Sequence, residues 1–124
     1  MAKGTPNWGV FALEFIGSLF FLAVVFTTSG AYMNSLINSW GVAAVWLPLL
    51  YAIGVVGSIA LFFVSFGNLM PGIDEKAVST GAMKATVCTS IVLAALTYGN
   101  LTYFATVLIG FIIAFIGSGL GYKK

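Results

Sequence analysis

The sequence predicts an all-α fold, a polytopic transmembrane helix bundle of four spans with both termini on the same side of the membrane. Composition is the first reason. Of 124 residues, 60% are hydrophobic and only 6% charged, whereas an ordinary soluble domain carries about 25% charged residues. Such a chain cannot clothe a water-facing surface, so lipid has to cover it. The second reason is four apolar stretches, each near the roughly 20 residues that a helix needs to cross a bilayer. The third is charge placement. With four spans, Lys3, Lys76, Lys84, Lys123 and Lys124 all belong to one side, and the two opposite connections carry no charge.

The first span is predicted over residues 8–28, with Glu14 as its only charge. It starts too early, runs too long and lacks the small-residue exit of a cleavable signal peptide, so it is expected to be retained. Residues 29–40 are uncharged and rich in Ser, Asn and Gly, which favour turns, and are expected to form a connection. The second span is predicted over 42–66, with Pro48 near its start, where a missing amide donor costs least. Pro71-Gly72 marks the clearest turn, and Asp74-Glu75 has the character of an N-cap with an acidic first turn. The third span is predicted over 77–98 and the fourth over 101–120, joined by a tight turn at Gly99-Asn100. A rival treats 77–84 as a re-entrant piece and leaves three spans. The positive-inside bias places both termini in the cytoplasm, or on the equivalent side of a virion membrane. Trp8 and Tyr122 then mark the inner interface, and Tyr32, Trp40, Tyr98 and Tyr103 the outer one.

Rows of small residues mark expected helix-packing faces: Gly54 and Ser58 in the second span, Gly81, Ala85 and Thr89 in the third, and Gly110, Ala114 and Ser118 in the fourth, with Gly117 and Gly121 as a second pair. Packing within the bundle is the simpler use of these rows; an interface with another subunit is the alternative.

The chain has no His, Arg or Gln, and Cys88 is its only cysteine. That removes internal disulfides, Cys/His zinc sites and His-based catalysis. No cofactor or metal site is expected, and no enzyme. The net charge of +2 is too weak for nucleic-acid binding. Two charges stand out because the membrane disfavours them, by roughly 2.5–3.5 kcal/mol at the bilayer centre. Glu14 lies about 9 Å beyond Trp8 at helical rise, and Lys84 falls within the third span. Both belong to the lysine-bearing half, so an ion pair or water-bridged contact between them is expected, with a proton or cation site at Glu14 as the alternative. Cys88, between Thr86 and Thr89-Ser90, is expected to be a small packing residue, and Asp74, Glu75 and Lys76 to cap a helix rather than bind a cation.

Leu13-Glu14-Phe15-Ile16-Gly17-Ser18-Leu19-Phe20-Phe21 resembles the opening helix of the major intrinsic (aquaporin) family, and Ala77-Val78-Ser79 is similar to the residues just after that family's Asn-Pro-Ala motif, here with Glu75-Lys76 in place of Asn-Pro. That resemblance implies a pore. Trp46-Leu47-Pro48-Leu49-Leu50-Tyr51, opening a long apolar run, is similar to the second helix of coat proteins from archaeal spindle-shaped viruses. That one implies a self-associating shell subunit. Four spans with an acid in the first also look like small multidrug transporters. The expected role is a non-enzymatic structural subunit of a membrane complex or virion-like shell. Its partners would be the lipid bilayer and either copies of itself or other membrane subunits. The alternative is a small channel or transporter that uses Glu14.

Overall fold

The computed structural model describes residues 8–70 and 75–123. Among these residues five α-helices occur in chain order: α1 (Trp8–Thr27), α2 (Ala31–Trp40), α3 (Leu47–Ser65), α4 (Glu75–Thr97) and α5 (Leu101–Lys123). Short 3₁₀ segments, Gly41–Trp46 and Phe66–Leu69, lead into and out of α3. Among the described residues there is no strand. Helix α1, the Ala31–Leu69 stretch that contains α3, α4 and α5 are each long and apolar enough to cross a membrane; the 20 residues of α1 rise about 30 Å.

The four long helices form an up-down-up-down bundle. Each packs against its sequence neighbours and α5 closes the ring against α1, while α1 and α4 face each other across the middle. One periodicity governs all four. The central buried stripe runs through Val10, Glu14, Gly17, Phe21 and Val24 on α1, with Ser18 and Val25 buried beside it. On α3 it runs through Gly54, Ser58, Leu61 and Ser65, with Leu47 buried seven residues before Gly54. On α4 it includes Ser79, Ala82, Thr86, Thr89, Leu93 and Leu96, and on α5 Val107, Gly110, Ala114, Gly117 and Gly121. Steps of three and four alternate throughout. This is the 3.5-residue repeat that sends straight helices into a left-handed supercoil.

Small residues at these positions let the backbones close up. A Cβ on Gly17 would stand 2.6 Å from Ala114 Cβ and 3.0 Å from Gly110 O. One on Gly117 would stand 2.7 Å from Leu13 Cβ. Gly54 receives Leu93, whose Cδ2 would lie 2.9 Å from an added Cβ. Gly54, Ser58, Gly110, Ala114, Gly117, Ser118 and Gly121 are thus buried inside the bundle. Gly81 and Ala85 are half-buried on α4; Gly81 has only Val64 within reach. Large apolar residues such as Val56, Phe63, Ile91 and Ile112 face outward, as lipid contact requires.

Two boundaries differ from the sequence expectation. Residues 31–40 are helical instead of turn-like. Tyr32, Met33, Leu36 and Trp40 lie on one side of α2 and are buried or half-buried, while Asn34, Ser35, Asn38 and Ser39 are exposed. Burying that apolar side across the bundle end outweighs the turn preference of Ser and Asn. Tyr32 fastens it, donating its hydroxyl to Leu96 O at 2.9 Å and meeting the Tyr103 ring at 5.0 Å. Gly41, at φ +61°, ends α2, and the 3₁₀ segment after it delays α3 to Leu47. The rival three-span arrangement is not adopted, because residues 77–84 belong to the unbroken α4. The Gly99-Asn100 turn forms as expected. Asn100 caps α5, its Oδ1 accepting from Tyr103 N at 3.2 Å.

Candidate functional site

Glu14 lies on the buried stripe of α1 and is fully enclosed, at 0% exposure. A polar group enclosed this way needs a hydrogen-bond partner. One comes from Asn68, in the 3₁₀ segment that continues α3. Its Nδ2 donates to Glu14 Oε1 at 2.8 Å and to Ser65 O at 3.0 Å. Both amide protons are used, which fixes the orientation of the amide, because the opposite setting would point Oδ1 at two acceptors. Asn68 Oδ1 is buried with no hydrogen-bond partner among the described residues.

Three features shape this site. Gly117 of α5 opens the space for Glu14; a Cβ there would come within 3.2 Å of the Glu14 backbone nitrogen. On the outward side of the α1–α3 seam, phenylalanine rings form a wall: Phe11 meets Phe66 at 5.2 Å, and Phe15 meets Phe62 at 5.0 Å. Towards the α2 end, Phe21, Leu61, Leu93, Leu96 and Val107 fill the interior and are all at most 1% exposed. The carboxylate–amide contact is therefore enclosed from the seam and from the far half of the bundle.

Five other interior hydroxyls are spent on local bonds. Ser18, Ser58, Thr86, Thr97 and Ser118 donate to carbonyls of their own helices at 2.6–2.9 Å. Ser79 Oγ and Thr89 Oγ1 are buried without a hydrogen-bond partner among the described residues. Each hydroxyl sits where a Cβ on a facing glycine would go, Ser79 against Gly121 and Thr89 against Gly57, the geometry of a weak Cα–H···O contact.

The structure does not bring Glu14 and Lys84 together. Lys84 is exposed on the outer flank of α4 and lines an open groove with Thr80, Met83, Val87, Ile91 and Tyr122. Helical phase is the reason. The buried stripe of α4 passes through Ala82 and Thr86, and Lys84, two residues from each, sits about 200° away from both. Cys88 also faces outward and is not a core residue. Lys76, at the start of α4, places its Nζ 5.5 Å from the centroid of the Tyr122 ring. Asp74, Lys3 and Lys124 lie outside the described residues, and the expected Asp74 cap with them.

Sequence reasoning missed Asn68, which it assigned to a loop. The signal was present, since 54, 58, 61, 65 and 68 continue one alternation of fours and threes. Fold and site together define a class: a small four-helix bundle compatible with a multi-pass membrane protein, with one enclosed carboxylate–amide contact near its lysine-bearing end. Compared with known protein families, curated proteins and solved structures, the chain matches none.

Proposed function

We propose that the chain is a non-enzymatic structural subunit of a membrane assembly, a membrane complex or a virion-like shell, built with copies of itself or with other membrane subunits. The observation that carries this is the interior. Its far half is filled by large apolar side chains, and five of its hydroxyls are turned back onto their own helices, which leaves no lined path for a solute. Three residues join α4 to α5, and the α1–α3 connection is folded as α2 and a 3₁₀ segment, so contacts with other proteins fall on the outward faces of the spans and the two rims. The lysine-bearing end faces the cytoplasm, or its equivalent in a virion, under the positive-inside rule. Because the small-residue rows of α3 and α5 are occupied within the bundle, association uses other surfaces.

A carrier or channel is the second reading, and the enclosed Glu14 is the observation that favours it. Imaging of the gently extracted particle, together with flux through proteoliposomes, separates the two. The structural reading expects an oligomer or heteromer without a polar axis, and no flux that depends on Glu14. Ion or solute flux abolished by Glu14→Gln would overturn it.

A further inference from the structure

We propose that the groove on the outer flank of α4 is a binding site for an anionic phospholipid, with Lys84 as the residue that holds its phosphate. The groove measures about 760 Å³ and is bounded by α4 and by Tyr122 of α5. Its α4 wall climbs through Thr80, Lys84, Val87 and Ile91, residues one turn apart on a single ridge.

Lys84 is the crux. It is exposed and contacts no carboxylate among the described residues. The described residues supply none at that depth: Glu14 is enclosed, and Glu75, at the start of α4, precedes Lys84 by nine residues, about 13 Å along the helix. An ammonium on a lipid-facing surface at that depth draws in a counter-charge from outside the chain. Side chains on a helix lean towards its N-terminus, so the Lys84 stem leans back towards Thr80 and the lysine-bearing rim. At that rim stands Lys76, over the Tyr122 ring.

The chemistry selects the ligand. The Lys84 ammonium favours a phosphodiester with net negative charge and disfavours a headgroup that carries its own quaternary amine. Around and beyond Lys84 the wall is apolar. Met83, Val87 and Ile91 span about 12 Å of helix, a surface that suits an acyl chain. Basic pockets beside transmembrane helices bind anionic headgroups in this way.

Native mass spectrometry of the detergent-solubilised protein, titrated with phosphatidylglycerol or phosphatidylcholine, tests the site. The expected result is at least a tenfold preference for phosphatidylglycerol. It should be lost in Lys84→Gln, retained in Lys84→Arg and weakened in Val87→Trp, which fills the groove without touching the charge. Thermal unfolding of Lys84→Gln should match the parent, since the side chain is exposed. Inorganic phosphate in excess should fail to displace the lipid. Equal retention of both lipids, undiminished binding in Lys84→Gln, displacement by inorganic phosphate, or co-extraction of a second transmembrane polypeptide seated on Lys84 in place of lipid would each overturn the proposal.

Discussion

Replacing Gly17 by alanine tests the closest helix approach in the molecule's α1–α5 seam. The added methyl would stand 2.6 Å from Ala114 Cβ, 3.0 Å from Gly110 O and 3.1 Å from Ala114 Cα. Two of these are backbone atoms and the third is fixed to backbone, so no side-chain rotation relieves the overlap. Unstrained carbon atoms meet at about 3.5–4.0 Å, which means the seam must open by about 1 Å. Overpacking of this kind costs about 1–3 kcal/mol, and alanine's better helix propensity returns at most about 1 kcal/mol. The net expectation is a loss of about 1–2 kcal/mol, measured by reversible unfolding in mixed micelles of mild detergent and dodecyl sulfate. Gly119→Ala is the control, because nothing lies within 4 Å of its added Cβ; it should be neutral or stabilising by up to about 1 kcal/mol. Pairing Gly17→Ala with Ala114→Gly should recover only part of the loss, because the contacts with Gly110 O and Ala114 Cα remain and a second helical glycine costs up to about 1 kcal/mol. If Gly17→Ala unfolds like the parent, or Gly119→Ala is as damaging, the seam is not held by close backbone approach and the reasoning is wrong.

Glu14→Gln keeps an oxygen that can accept from Asn68 and is expected to unfold close to the parent. Glu14→Ala strands a buried amide donor and should cost about 1–3 kcal/mol in the same assay; equal effects of the two would show that the contact with Asn68 contributes nothing. Cys88 faces outward from the middle of a spanning helix, so in sealed vesicles it should resist a charged, membrane-impermeant thiol reagent and react fully after solubilisation in dodecyl sulfate. Prompt labelling in intact vesicles would place that face of α4 against water.

Much of the fold was legible because a membrane helix announces itself by length and composition, and lysine placement then settles the parity of the spans. Glu14 was legible for the same reason: an acid in an apolar run is conspicuous. Its partner was not. The pairing of Glu14 with Lys84 used depth along the helix and charge, and both residues do belong to the lysine-bearing half. Rotation about the helix axis decides which side chains meet, and that needs the full stripe through Ser79, Ala82, Thr86 and Thr89, whose hydroxyl-bearing members do not stand out by hydropathy. Asn68 was hidden by a local signal, since Gly67-Asn68 before Pro71-Gly72 reads as a turn, whereas tertiary contact keeps the chain helical through Leu69. Residues 31–40 misled in the same way.

The distribution of side-chain size is set by the solvent. In lipid, apolar side chains gain little by leaving the surroundings, so helices associate by close backbone approach and by sheltering polar groups. That is why Gly17, Gly57, Gly110, Gly117 and Gly121 face neighbouring helices, while Ile, Val and Phe cover the outside. The arrangement limits how the protein can recognise anything else. With the glycine faces of α1 and α5 consumed in the bundle, an approaching helix meets branched and aromatic residues that resemble the lipid they displace. Specificity must then come from the few outward features that lipid tails cannot imitate. Among the described residues these include Lys76 over the Tyr122 ring at the lysine-bearing rim and the exposed Ser and Asn edge of α2, at opposite ends of the bundle, so a subunit held at both would be fixed in depth and in rotation.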